Sequence, residues 1–212
     1  MDAAKSTYKV IDTSTWKRKQ HCHIFKDAIQ PQYNVCLELN ITNFLQKVRE
    51  KNWSFSLAFI HTVSQCASGI EEFRYRFLND DVVLYDTIHT SFTYLNPETE
   101  LFKVINVPMQ ASIEGYMEKA KETIENQIEY ITGPIANDVY QFSSLPWVAF
   151  THFSHTLIDK SRKSNPMFDW GKYHEKNGRM VIPFSVQVHH SFVDGFHVGK
   201  LVQQLQERLN SF

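Results

Sequence analysis

The chain has little of what breaks, links or staples a fold. Seven glycines and seven prolines in 212 residues leave no stretch that reads as a linker or low-complexity tract. The three cysteines, Cys22, Cys36 and Cys66, are odd in number and form no CxxC pair. A disulfide scaffold is therefore not expected, and a reducing cytosol fits. No run reaches the roughly 18 apolar residues of a membrane span. The opening residues, Met1 to Tyr8, hold no apolar signal core. Neither sign of charge dominates: 22 basic residues face 23 acidic ones, a net charge of −1. There is no basic field to hold a nucleic-acid backbone. These absences predict a soluble cytoplasmic protein with neither nucleic acid nor membrane as partner.

What the chain does have is apolar and aromatic mass. Hydrophobic residues make up 42% of it, with 16 Phe and 9 Tyr. That is enough for a sizeable core in one domain spanning residues 1–212. Rings in this number fill a core or line apolar pockets and subunit contacts. Tyr8–Ile11 reads as a short edge strand, and Thr13–Thr15 as caps for a helix through Trp16–His21. Tyr33, Val35, Leu37 and Leu39 share one face of a strand. Helices are expected from about Asn43 to Lys51 and from Ser54 to Ser68. Phe73–Phe77, Val82–Tyr85, Ser91–Leu95 and Leu101–Val107 read as successive strands. An amphipathic helix from Met109 to about Tyr130 follows, then a strand at Pro146–Phe150 and a polar loop from Asp159 to Asn165. The longest strand is expected at Arg179–His190, and a last helix from Phe196 to about Leu209. The sum is an α/β domain of the α+β type, a mixed and largely antiparallel sheet with helices packed on it.

The chemistry gathers where that longest strand ends, in Val188-His189-His190-Ser191-Phe192-Val193-Asp194-Gly195. Side chains alternate along a strand, so His190 continues the apolar face of Phe184, Val186 and Val188. Scarce water there would lower its pKa and keep it a neutral base near pH 7. Asp194 stands just before the last helix, where a carboxylate suits an N-cap. Gly195 permits a sharp turn. An ordinary strand end and Asp-Gly turn would read the same way. A metal site of His189, His190, Asp194 and His197 is a further reading, though neighbours on opposite faces converge poorly on one ion. His21-Cys22-His23 meets the same objection.

With these residues in view, the chain resembles the type A chloramphenicol acetyltransferases. His-His-x-x-x-Asp-Gly-Phe-His, preceded by Pro183-Phe184-Ser185-Val186-Gln187-Val188, is similar to the signature of that family. The likeness runs through nearly the whole chain. Trp16-Lys17-Arg18-Lys19-Gln20-His21, Glu72-Phe73-Arg74 and Phe92-Thr93 resemble further family blocks. So do Glu98-Thr99-Glu100-Leu101-Phe102, Pro146-Trp147-Val148 and Gly171-Lys172-Tyr173, and all stand in the family's order. The resemblance implies a two-layer sandwich. It implies that His190 is the general base and that Asp194 is structural, paired with Arg18. Phe25, Thr93 and Phe102 would line the acceptor pocket, with Lys172 and Tyr173 along the coenzyme A side. Acetyl-CoA would be a co-substrate and nothing would be bound permanently, with no metal. The acceptor would be a hydroxyl-bearing small molecule, chloramphenicol first among them. The assembly would be a homotrimer with each active site between two subunits.

The chain departs from the family where polar chemistry is expected. His152 stands where a Ser donates to the oxyanion, Asp169 where a Thr lies near the acceptor, and Gln20 where the family has Glu. One expectation is that His152 and Asp169 hydrogen-bond each other. The competing functions are O-acetylation of another hydroxyl acceptor, the catalytic core of a dihydrolipoyl acyltransferase, and a binding protein that has lost catalysis. The lack of a lipoyl domain and of a Pro/Ala-rich linker argues against the dihydrolipoyl reading.

Overall fold

A computed structural model describes residues 6–133, 135–155 and 163–212. The order is β1 (Tyr8–Val10), α1 (Lys19–Lys26), β2 (Gln32–Asn40), α2 (Thr42–Glu50) and α3 (Phe55–Ser68), then a 3-10 turn (Glu71–Arg74). β3 (Tyr75–Leu78), β4 (Asp81–Tyr85), β5 (His89–Leu95), β6 (Phe102–Val107) and α4 (Ile113–Asn126) follow. The chain closes with β7 (Val139–Leu145), β8 (Met167–Gly171), β9 (His174–Lys176), β10 (Arg179–His189) and α5 (Gly195–Asn210).

β1, β4 and β3 form a small sheet, while the large sheet runs β2-β10-β8-β7-β5-β6, with β9 also on β10. Among the described residues only β5–β7 and β7–β8 pair in parallel, and the other pairs are antiparallel. β10 is the spine. It pairs with β2 along nine residues and carries β8 and β9 in succession on its other side. The β9–β10 turn is Asn177-Gly178, both at positive φ (53° and 72°), the conformation a two-residue hairpin demands.

One face of the large sheet is apolar. Phe184 and Val186 of β10, Phe168 and Trp170 of β8, Phe142 of β7, Phe92 of β5 and Ile105 of β6 sit side by side in register and are buried. The helices α2, α3, α4 and α5 lie against the sheet. Phe168 touches the rings of Phe73, Tyr140, Phe142 and Phe184; its truncation to Ala would cost about 3–5 kcal/mol. The opposite face is polar. Reading across it, Cys36, Ser185, Asp169, Ser143 and Thr93 form a row from β2 to β5. The two sheets meet at Arg76, which is fully buried. Its guanidinium donates to the carbonyls of Phe73 and Tyr75 at 2.8 Å, Asn137 at 3.0 Å and Val139 at 3.2 Å.

The α+β layout is as expected, but several elements differ. α1 begins at Lys19, because Thr13–Thr15 instead form a turn on the Asp12 carboxylate. Glu71–Arg74 is a 3-10 turn rather than the start of a strand. α4 is shorter than the apolar stripe suggests. Ser112 Oγ caps it by accepting Gly115 N–H at 3.1 Å, and Gln127 leaves it to bond the carbonyls of Val104 and Glu129. The strand expected at Pro146–Phe150 is instead Val139–Leu145; proline has no N–H to give a ladder and ends it. β8 and β9 lie where no strand is expected. Most of the loop expected at Asp159–Asn165 falls outside the described residues.

Candidate active site

β10 ends at His189, and the chain turns at once toward α5. His190 opens that turn, and its backbone N–H bonds Pro31 O at 2.9 Å. Its ring stacks flat on Phe25, with centroids 4.0 Å apart and planes within 2°. Tyr33 tilts against it at 4.8 Å. Nδ1 lies 3.3 Å from Asp194 Oδ1, near enough for attraction but out of line for a full hydrogen bond. Nδ1 thus faces the carboxylate.

The water-poor setting expected of His190 belongs to its neighbour. The His190 side chain is 36% exposed. His189 is 2% exposed and packs against Phe77 and Phe192. Burial, reinforced by the charge of His190, pushes its pKa down to about 4. Strand alternation fails here because His190 lies past the end of the ladder. Gly195 is the first residue of α5, and positive φ among the described glycines occurs only at Gly133 and Gly178.

Asp194 is gripped from α1. Arg18, just ahead of that helix, donates Nη1 to Oδ2 at 2.8 Å and Nη2 to Oδ1 at 2.9 Å. This fork suits a carboxylate. Arg18 holds the Asp194 carboxyl below the usual carboxylate range, so it stays ionised at the start of α5, where negative charge is favoured. Arg18 Nε also donates to Ser191 O at 3.3 Å, Ser191 Oγ to Cys22 O at 3.2 Å, and Tyr33 Oη to Val193 O at 3.3 Å. Burial pushes the Tyr33 phenol up to about 12, so it keeps its proton. The turn from Ser191 to Asp194 is thus tied to α1 and β2 by its side chains and carbonyls.

Of the residues expected at the site, His190, Asp194, Arg18 and Phe25 meet here. Thr93 and Phe102 do not. They line a cleft of about 580 Å³ with Ser54, Ser143, Trp147 and Trp170, and neither His190 nor Phe25 reaches it. Lys172 is exposed, with its N–H on Val148 O at 2.8 Å. Tyr173 is half-exposed, its ring 5.5 Å from Phe55. Tyr33, Ser191 and His197 also shape the turn. Tyr33 was visible only as one member of an alternating strand.

The expected contact between His152 and Asp169 is absent. His152 is exposed. Asp169 is wholly buried, and His155 Nε2 lies 2.8 Å from its Oδ2. The chain passes Phe153 over β2, where Asn34 Nδ2 donates to its carbonyl. That course lets the third residue after His152 meet β8. Burial pushes the Asp169 carboxyl up, and His155 opposes the shift. Ser185 Oγ donates to Asn34 Oδ1 at 2.9 Å, and Asp169 Oδ1 has no hydrogen-bond partner among the described residues. No group of three or more His, Cys, Asp or Glu side chains among the described residues is placed to hold a metal ion, His189, His190, Asp194 and His197 included.

The chloramphenicol acetyltransferase family model matches residues 6–206. A chloramphenicol acetyltransferase from Escherichia coli is 30% identical over 211 residues, covering 98% of this chain and 96% of the relative. One from Streptomyces acrimycini is 31% identical over 215 residues, covering 99% and 97%. A solved chloramphenicol acetyltransferase, 26% identical, matches with a TM-score of 0.86 over 96% of this chain and 100% of that one. A probable dihydrolipoamide acetyltransferase from Listeria monocytogenes shares the fold, with a TM-score of 0.65 at 14% identity over 91% and 89%. By the match along nearly its whole length, the chain belongs to the chloramphenicol acetyltransferase family.

Proposed function

We propose that this protein transfers the acetyl group of acetyl-CoA to a hydroxyl of a small acceptor, with chloramphenicol as the favoured acceptor. The observation that carries the reading is the His190 turn, where a stacked imidazole sits over a carboxylate that Arg18 fixes at both oxygens. His190 Nε2 takes the hydroxyl proton as the oxygen forms its bond to the thioester carbonyl carbon. The tetrahedral oxyanion then collapses. The carbon–sulfur bond breaks, and the coenzyme A sulfur leaves with the proton from His190. Phe25 holds the ring plane. Asp194 favours the tautomer that carries its proton on Nδ1, since Nδ1 faces the carboxylate.

The cleft around Thr93 and Phe102 is the favoured place for the other half of the site. Because His190 does not line it, completion by a second copy fits best, and we read the assembly as a homotrimer in the cytoplasm. Lys172 and Tyr173 are the candidates to flank coenzyme A. Asp169, bound to His155, favours the second reading, that the natural acceptor is a different hydroxyl compound. Release of free thiol from acetyl-CoA, with chloramphenicol and then with other alcohols, tests the function. Thiol release that depends on no hydroxyl compound would reject it. Sedimentation tests the assembly: three 24.9 kDa chains should report roughly 75 kDa, and a monomer at every concentration would reject the shared site.

A further inference from the structure

Three charged or titratable side chains from separate sequence blocks meet behind the Asp194 turn. None has a part in the chemistry above. Glu72, in the 3-10 turn before β3, is buried. Its Oε1 lies 3.4 Å from His197 Nε2 and 3.5 Å from Lys17 Nζ. Lys17 is the residue before Arg18. His197, in the first turn of α5, accepts the backbone N–H of Asp194 on Nδ1 at 2.9 Å.

That bond and the Glu72 contact favour the same tautomer. A backbone N–H only donates, so Nδ1 carries no proton. The neutral ring then holds its proton on Nε2, the nitrogen turned to Glu72. Burial favours the neutral ring, and the Glu72 carboxylate works against it. Arg18, Asp194 and Lys200 are the other charged groups around it.

We propose that Glu72 is a positioning residue for the catalytic turn. It holds His197 in the Nε2–H tautomer, and His197 fixes the peptide of Asp194, whose carboxylate reaches both Arg18 and His190. Asp194 is thus held twice. Arg18 grips the carboxylate from the front, and His197 grips the backbone from behind. With the rear hold gone, the carboxylate can pivot on the Arg18 fork. The 3.3 Å approach to His190 Nδ1 has little to spare, since such contacts weaken steeply as distance and angle worsen. This inference rests on His190 being the base.

The test uses the full chain with Glu72→Ala, Glu72→Gln and Asp194→Asn. Ring ¹⁵N chemical shifts of His197 read the tautomer without any acetyl transfer. Wild type and Glu72→Gln, whose side-chain oxygen can still face the Nε2 proton, should show the Nε2–H form. Glu72→Ala should show a mixture and faster exchange of the Asp194 amide. In acetyl transfer, Glu72→Ala should lower kcat roughly tenfold, as loss of an orienting partner does. KM for acetyl-CoA and acceptor should stay within about twofold, and Glu72→Gln should recover most of the loss. Combined with Asp194→Asn, the loss should be less than additive. An unchanged His197 tautomer in Glu72→Ala overturns the proposal. A changed tautomer with unchanged kcat, or a fully additive double variant, does so equally. If Glu72→Ala does not fold, Glu72→Asp, one methylene short, gives the same readouts. If wild type acetylates no hydroxyl compound, the functional reading falls, while the tautomer and the amide exchange still decide whether Glu72 orders the turn.

Discussion

The Asp194 turn and the polar face of the large sheet handle charge in opposite ways. At the turn, Asp194 is partly open to solvent, held by two Arg18 bonds, and kept ionised. On the sheet face, Asp169 is sealed from water, touches one histidine, and leaves Oδ1 without a partner among the described residues. The first is a rigid mount: its polar groups lie within a few residues of one another and answer to α1. The second is a row assembled from five strands, with a carboxylate whose ionisation burial resists. A site that must present a base in one orientation needs the first arrangement. A surface that must fit a varied acceptor or a second copy can tolerate the second.

The largest effect that would break this contrast is at His190. His190→Ala should lower acetyl transfer by about 100- to 10,000-fold, the range for a general base, with the circular dichroism spectrum and the sedimentation unchanged. Activity within a few fold of wild type would remove the turn from the chemistry. Next is the Arg18 clamp. Arg18→Val leaves a carboxylate unpaired and should cost about 3 kcal/mol in urea unfolding, the lower end for a buried pair because Asp194 is partly exposed. The folded-state pKa of Asp194 is depressed. Its contribution is therefore present above the ordinary carboxylate range and lost as pH falls through the lower folded value. Wild type should lose more stability than Arg18→Val on acidification below about pH 4.

A smaller, pH-dependent effect separates the two histidines. His189 has an unfolded value near 6.5 and a folded value of about 4. Between these, the unfolded chain binds the extra proton, so stability falls as pH drops. His189 should account for a loss of about 1.5 kcal/mol between pH 6.5 and 5, so His189→Gln should show a profile flatter by that amount. The smallest effect sharpens the comparison from the other side. His152 is exposed, so His152→Ser should change stability by less than about 0.5 kcal/mol. Chloramphenicol turnover decides its role. A rise means the ring obstructs the acceptor, a fall means it is an adapted donor, and no change means it faces away from the chemistry.

How much of this was legible follows from sequence distance. The turn was readable because His190, Asp194 and the start of α5 are close in the chain, and alternation along β10 is undisturbed until His189. Arg18 came with them only through a resemblance, since nothing in its spacing points across the fold. The Asp169–His155 contact was not readable. It depends on where the stretch after Pro146 crosses the sheet, and alternation says nothing of a segment that is not a strand. β8 was missed because in Met167-Phe168-Asp169-Trp170-Gly171 only Phe168, Asp169 and Trp170 alternate, too short a run to establish a period of two. His189 and His190 look equivalent in sequence, and only the point at which the ladder stops tells them apart.

Arg76 carries a consequence for how the molecule comes apart. Its charge sits where the two sheets join and is surrounded by four carbonyls, two from the β3 side and two from the approach to β7. Each carbonyl alone is a poor exchange for water around a guanidinium. The joint is favourable only when all are in place, so a half-opened state with Arg76 dry and two carbonyls missing lies uphill of both the closed and the fully wetted forms. The small sheet therefore cannot peel away gradually. Amide exchange on β3 and on the first residues of β7 should rise together, as one unit, long before either shows an opening of its own.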